Sequence, residues 1–560
     1  MNRPKNYINR IVFNDGTKMD INENDIIVFV GPNNAGKSQA LKDIYELSNR
    51  KQPSVVVSDI GLHRETEGLK EFISSFSNKH TSNGIVVYEG FKFQLIEQNI
   101  ELICENNALD DLRDALIVYL DTMERLRICH PAPFITRKDN KTNPIHYAAF
   151  DKSRREWLSA KYKMAFDQYL VPNMQFGASI PLCIGDPVKF DKDFEDEQSR
   201  QEAYAEILQT YKQVHDQGDG IKSFTGILLY LMIDHYSTYL IDEPESFLHP
   251  PQAHIMGQII GEALSDNQQA FISTHSEEII KGLLDEASER VKIIRITREG
   301  DLNRFSMIDN RAFKLLWKDP LLKYSNIMSA LFHSSVILCE SDSDCKMYSL
   351  IESQLMAEQG KYSESLYIHS GGKQRLSKVV AALKSIGIYV KTLPDIDILN
   401  DENIVKGLVE AHGGSWDKVK RDYNIIVNNL HSPKESINRE HAKEEIIAII
   451  ETSDFTELNK EEIKKINDCV KIISKWDILK KSGKSALPSG DATQAFGRMN
   501  SYLEQLGIFL VPVGEIECFI KEVGAHGPQW VNQVLEKYPD LQDPIYSSIK
   551  DYVKGVLGIV

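Results

Sequence analysis

Long apolar runs are missing from this chain. Nowhere do about 18 apolar residues follow one another, the length a bilayer-spanning helix needs, and the opening Met1-Asn-Arg-Pro-Lys5 leads into no hydrophobic region of a secretory leader. A soluble protein without membrane association is therefore expected. Paired cysteines are missing too: Cys104, Cys129, Cys183, Cys339, Cys345, Cys469 and Cys518 contain no C-x-x-C, and their odd number argues against a disulfide framework. A reducing cytoplasm is the expected compartment. Positive charge is in deficit, and a net charge of −16 gives no general attraction to nucleic acid. Any DNA site must be a local basic patch or be bridged by metal. One basic stretch exists, Arg137, Lys138, Lys141, Lys152, Arg154 and Arg155, and it reads as a solvated surface ahead of a ligand site. No low-complexity tract or repeat appears, and 560 residues suffice for two to four globular domains.

What is present begins with Gly31-Pro-Asn-Asn-Ala-Gly36-Lys37-Ser38, which fits the phosphate-loop pattern at every fixed position. It follows the apolar run Ile26–Val30 and precedes a helix expected over Gln39–Leu47. Gly31, Asn34 and Gly36 shape a loop whose N–H groups converge on phosphate oxygens. Lys37 is placed to reach the β- and γ-phosphates, and Ser38 to ligate Mg²⁺. The chain is therefore expected to bind ATP.

A second apolar run, Thr238–Ile241, ends in Asp242 and Glu243. Asp242 can hold Mg²⁺ through water and Glu243 can polarise the attacking water. A third, from Ala270, ends at His275, which could contact the γ-phosphate or be structural. Together these motifs resemble the ABC-type ATPases, in the branch of RecF-like and structural-maintenance proteins. The resemblance implies that the long interval from Ser38 to Asp242 holds an inserted arm and helical lobe. It also implies that Gln217–Phe224 is the signature segment, with Gly218, Gly220 and Ser223 offering N–H groups to a nucleotide on another subunit. A transporter would need a separate membrane subunit.

After Phe305 alternation of strand and helix restarts. Ser335–Cys339 delivers Glu340 to a strand end, with Asp344 on the following helix turn; Leu366–His369 leads to Gly371-Gly372-Lys373 and a helix over Leu376–Ile386; Ile388–Pro394 ends in Asp395 and Asp397; and Gly507–Gly514 ends in Glu515 and Glu517. Carboxylates at loop starts often cap helices. As a set, however, they would repel one another without a cation, and oxygen-only ligands suit Mg²⁺ or Mn²⁺.

The order Glu, Gly-Gly-Lys, Asp-x-Asp resembles the Toprim fold, and its fusion to an ABC-type ATPase resembles the OLD family of ATP-dependent nucleases over nearly the whole chain. The resemblance implies an α/β protein: an ABC-type P-loop ATPase domain over 1–310 and a linker over 311–334. A Toprim, Rossmann-like nuclease domain over 335–525 would follow, with a helical insert at about 400–500, then a C-terminal helical segment over 526–560. It implies Glu340, Asp344, Asp395, Asp397, Glu515 and Glu517 as metal ligands or acid/base groups, and Lys521 as the basic residue near the scissile phosphate. The insert, with charged helices expected over Glu435–Thr452 and Glu457–Lys475, could guide DNA, bind a partner or be filler.

The expectation is thus an ATP-regulated, divalent-metal-dependent DNA endonuclease or nickase working as a homodimer or larger assembly. Similar proteins serve bacterial anti-phage systems such as Gabija and those associated with retrons, which implies a helicase or a reverse transcriptase with its nucleic acid as partner. The alternative is a non-cleaving RecF-like repair or scaffold ATPase whose second half only binds DNA or protein. Primase or topoisomerase lacks support, with no zinc-type cysteine cluster and no evident nucleophilic tyrosine domain.

Overall fold

The computed structural model describes residues 3–49, 54–82, 84–102, 109–190, 194–300, 302–308, 327–430, 438–452, 457–470 and 474–559. The chain divides into two units, Met1–Phe313 and Lys314–Val560. Most of the expected 311–334 linker lies outside the described residues. No helix among them is long and apolar enough to cross a membrane.

The first unit is built on a six-stranded sheet. Ile26–Val30 lies between Gln269–Ser273 and Val291–Glu299; Thr238–Asp242 and then Ile117–Leu120 extend one side, and Leu302–Met307 closes the other. All neighbours are parallel except the last pair, Val291–Glu299 with Leu302–Met307. Ile26–Val30 is buried at every position, as a strand covered on both faces must be, which explains its unbroken apolar run. The phosphate-loop strand and the acid-bearing Thr238–Asp242 strand are thus separated by the one that ends before His275. All three motifs reach the same carboxyl edge, where open parallel sheets place their ligands. Antiparallel Asn6–Phe13, Lys18–Asp20 and Val57–Arg64 form a second sheet, whose Ile8, Ile11 and Phe13 share a core with Phe29 and Ile44.

The second unit centres on a parallel sheet ordered Ser365–His369, Ser335–Cys339, Val390–Leu393. The expected fourth strand over Gly507–Gly514 has a single ladder bridge, Thr392 with Ile508. The segment still follows its neighbour: Thr392 N–H donates to Gly507 O at 2.8 Å, Phe509 N–H to Thr392 O at 2.8 Å and Val511 N–H to Pro394 O at 3.0 Å. Pro512 then removes a donor and Gly514, at φ 117°, turns the chain. The segment 526–560 is no appendage. Its helices Pro528–Lys537 and Ser547–Leu557 bury Trp530, Val534, Ile549 and Val553 in one core with Ile337, Tyr348 and Ile351.

Between Asp397 and Gly507 runs the helical insert. Its stem helices Asp417–Leu430 and Asp491–Leu506 pack on each other. Of the two expected outer helices, the first spans Arg439–Glu451, with 435–437 outside the described residues. The second is Lys460–Cys469, and the next helix, Lys475–Ser482, already belongs to the returning stem.

Candidate functional site

At the carboxyl edge of the first unit the phosphate loop has the backbone its sequence requires. Gly31 lies at φ 144°, and a Cβ there would meet Ile296 O at 2.0 Å; Gly36, at φ 97°, is the N-cap of helix Lys37–Leu47. No side chain caps that helix, so its first-turn N–H groups, with the positive end of its dipole, face the loop. Asn34 also has a positive φ of 60°, and Ser38 is half-buried in the first turn. Lys37 is buried, its Nζ donating, among the described residues, to Gly31 O at 3.0 Å and Pro32 O at 2.8 Å. Burial pushes its pKa down to about 8 against the opposing pull of Glu243, Glu245 and Asp242. A buried cation held by two neutral carbonyls beside uncapped N–H groups fits an anionic phosphate.

Opposite, Asp242 accepts a hydrogen bond from Ser273 Oγ. Glu243 sits at φ 47°, fixed by its own N–H donating to Ser273 O at 3.0 Å, and its Oε1 lies 3.8 Å from His275 Nε2. Glu245 is half-buried: Oε1 accepts from His275 N–H at 2.6 Å, the buried Oε2 has no partner among the described residues, and desolvation raises its pKa. The loop lysine, the two strand-end acids and the histidine are thus brought to one edge.

Ser223 needs correction. It is the fifth residue of helix Asp219–Leu231, fully buried, and its Oγ accepts from Arg125 Nε at 3.1 Å. It cannot present itself to a nucleotide on another subunit. Only the exposed, side-chain-uncapped start at Gly218 and the first-turn Gly220 remain accessible. Arg125 itself is a positioning residue that the sequence did not reveal. Fully buried, it donates to Leu120 O, Asp242 O, Thr122 Oγ1 and Glu243 O, gripping the backbone on which both acids stand.

In the second unit, Glu340, Asp395 and Asp397 each offer a carboxylate oxygen within 4.8 Å of the others, and Glu515, Glu517 and His526 form a second such group. Asp395 N–H donates to Glu340 Oε1 at 3.1 Å, and the glycine loop closes on the same strand end, Gly372 N–H donating to Glu340 O at 3.0 Å. Burial, then the charge of Asp397, pushes Glu340 up to about 7; burial, then Glu340, holds Asp395 well above the usual carboxylate range. Such mutual repulsion of oxygen donors fits a divalent cation. The residues able to hold one are Glu340, Asp395 and Asp397, with Glu515 and Glu517 beside them.

Two of the expected residues stand differently. Asp344 is the third residue of its helix and closes a capping box, Oδ2 accepting from Ser341 N–H at 2.9 Å; it belongs to neither three-residue group. Lys521 is exposed and pairs with none of these acids. The cations that do are Lys373, 3.2 Å from Asp397, and Lys480, 3.3 Å from Glu515 and 4.0 Å from Asp397. His526 Nδ1 lies 3.7 Å from Glu517, and Gly527 N–H donates to the same carboxylate at 2.8 Å. Lys373 was signalled by its Gly-Gly-Lys loop. Lys480 and His526 had no motif to mark them.

By sheet order, loop geometry and strand-end acids the first unit is a P-loop ATPase domain of mixed α/β architecture. Residues 178–281 match the family described as "AAA domain, putative AbiEii toxin, Type IV TA system". The chain is 35% identical over 88 residues to the uncharacterized protein MJECL11 of Methanocaldococcus jannaschii, covering 77% of that protein and 15% of this chain. It belongs, through that segment, to the family of this uncharacterized protein. It is also 23% identical over 312 residues to the Old nuclease of Escherichia phage P2, a match spanning 54% of this chain but only 48%, about half, of that protein's length. Among solved structures, a crystal structure of the SmcHead bound to the C-winged helix domain of ScpA aligns at TM-score 0.33 with 13% identity, covering 55% of this chain and 99% of that one.

Proposed function

We propose that the chain is an ATP-regulated, divalent-metal-dependent DNA endonuclease or nickase. The observation that carries this reading is the group Glu340, Asp395 and Asp397, three carboxylates converging from two neighbouring parallel strand ends. Their oxygens would hold Mg²⁺ or Mn²⁺, which on binding would stabilise charge on the phosphate oxygens. Lys373 and Lys480 would orient a scissile phosphate beside them, in place of Lys521. The likeness to the Old nuclease supports a nuclease, and the ATPase domain supports nucleotide control of it. We further propose a Toprim-like second unit, a homodimer or larger assembly, a cytoplasmic location, and service in anti-phage defence with a helicase or reverse-transcriptase partner. The non-cleaving scaffold reading is disfavoured because a binding-only site has no need of three half-buried carboxylates set within 4.8 Å of one another.

The test is nicking of supercoiled plasmid in Mg²⁺ or Mn²⁺ by wild type, Glu340→Ala and Asp395→Ala. Both variants are expected to lose cleavage by at least about 10²-fold, in line with removal of a charge-stabilising group, while still binding ATP. Wild-type-like nicking by both would remove the acid group from the reaction.

A further inference from the structure

The basic stretch that reads as solvated surface in the sequence is folded into a cleft of the first unit. Its volume is about 650 Å³, and its cations are Arg137, Lys138, Lys141, Lys152 and Arg154. Three carboxylates share the lining, Asp139, Asp151 and Asp234, and each has local work. Asp139 accepts from Thr136 N–H at 2.6 Å, Asp151 caps helix Lys152–Phe166 through Ser153 and Arg154 N–H, and Asp234 pairs with Arg154 at 2.9 Å. Arg154 is therefore neutralised, and Lys152 lies 3.7 Å from Glu156. Arg137, Lys138 and Lys141 have no carboxylate partner among the described residues. In a chain of net charge −16, three such cations on five consecutive residues of one cleft wall are an exception that calls for an anion.

The aromatic lining decides which part of an anion is read. Tyr147 is buried, with Arg154 at 4.9 Å and Lys141 at 5.5 Å from its ring centre. Phe76 is stacked on the buried His235 at 4.2 Å and 5°. These rings are occupied by neighbours, so they make no base-stacking platform. What remains is charge recognition of phosphate, which fixes a strand in place without reading its sequence. The cleft is also separate from the nucleotide loop. Asp234 and His235 precede the Thr238–Asp242 strand, at the amino edge of the sheet, whereas Lys37, Asp242 and His275 stand at its carboxyl edge, roughly 15 Å away for a strand of this length.

We infer that this cleft is a docking site for the phosphate backbone of nucleic acid, held by Arg137, Lys138 and Lys141. The inference rests on the nuclease reading for its choice of nucleic acid over a free polyphosphate, and its test measures binding apart from cleavage. Full-length wild type and the triple variant Arg137→Gln, Lys138→Gln, Lys141→Gln are titrated against a fluorescein-labelled 20-base-pair DNA duplex in EDTA at several salt concentrations. ATP hydrolysis, which uses none of the three, serves as the check on folding. The variant is expected to bind at least tenfold more weakly at 0.1 M salt, and its slope of log affinity against log salt should be shallower by about two to three. Equal affinity in the two proteins overturns the proposal. So does displacement of the duplex by inorganic tripolyphosphate at equal phosphate concentration, which would mark a site for free polyphosphate. Plasmid nicking in Mg²⁺ is scored separately: a wild type that never nicks while the triple variant loses duplex affinity sinks the nuclease reading and leaves the cleft standing.

Discussion

Arg125 shows how much of the ATPase edge depends on a side chain fully buried beneath it. Its guanidinium donates to three carbonyls, of Leu120, Asp242 and Glu243, where the strands end. Replacing it by Met should cost about 3–5 kcal/mol of stability, as unpaired buried polar groups do, and should lower kcat for ATP hydrolysis far more than it raises KM. Arg125→Lys is expected to rescue little, because a single ammonium cannot reproduce the guanidinium's fork; recovery of full turnover by lysine would reduce Arg125 to a packing residue. Lys37→Ala is expected to weaken ATP affinity, whereas Glu243→Gln should bind ATP and hydrolyse it at least about 10²-fold more slowly. Equilibrium binding and phosphate release separate the two effects. Lys37, Asp242, Glu243 and His275 were legible because their chemistry fixes both residue type and spacing along the chain. Arg125 was not, since one arginine in Thr122–Arg127 looks like any other until packing buries it. Ser223 was misread for the same reason: serine near two glycines resembles a signature segment, and only the helix register turns it inward.

The insert is joined to the acid-bearing sheet by elements whose fit is tight. A Cβ on Gly514 would stand 1.9 Å from Lys480 O, and one on Gly483 2.1 Å from Pro512 O, so the Lys475–Ser482 helix end is clamped to the run that carries Glu515. Gly514→Ala is therefore expected to move Lys480 away from Asp397 and Glu515 and to reduce plasmid nicking by at least tenfold without altering ATP turnover; unchanged nicking would free Lys480 from its assigned position. His412, at the C-cap of helix Glu402–Ala411, ties the start of the insert to the same sheet, meeting Thr392 Oγ1 at 2.8 Å and Leu506 O at 3.0 Å. Burial, with Lys384 nearby, pushes its pKa down to about 4 from 6.5. The unfolded chain then binds the extra proton between those values, so this contribution to stability is complete above pH 6.5 and is lost as pH falls towards 4. Relative to His412→Gln, wild type should lose about 2–3 kcal/mol between pH 7 and 4.5, read as faster hydrogen exchange of the Val390–Leu393 amides. Parallel pH dependence in both proteins would remove His412 from this role. At this scale the sequence indicated a helical insert from its charged amphipathic stretches. It could not indicate which lysine the clamp sets beside the acids, because that is decided by two glycine contacts distant along the chain from the acids of Asp-x-Asp.

At the scale of the whole molecule, each unit has its own core and its own candidate chemistry, with phosphate held in one and phosphodiester hydrolysis proposed for the other. Strand ends collect acids in both, which is why the two acidic clusters were legible in order along the chain; the incomplete strand at Gly507 and the shared core of 526–560 were not, because they depend on partners far away in sequence. A nuclease with no brake would cut its host's DNA, and a net charge of −16 lowers affinity for DNA generally. On the proposed nuclease reading, the ATPase is better suited to gating cleavage than to powering it. If Gly218 and Gly220 at the exposed helix start of one subunit complete the nucleotide site of another, nucleotide state and assembly must be linked, and each must change the other's equilibrium by the same factor. The expected outcome is a dimer or larger assembly whose nicking rate changes at least several-fold, about 1 kcal/mol or more of coupling, between nucleotide-free and ATP-bound protein. Glu243→Gln, trapped with ATP, should hold the protein at the ATP-bound rate, and Lys37→Ala at the nucleotide-free rate. Plasmid nicking across an ATP titration, paired with light scattering on the same samples, measures both. A monomer that nicks at one rate whatever its nucleotide would break the link between the two sites while leaving each site's own chemistry to its own variants.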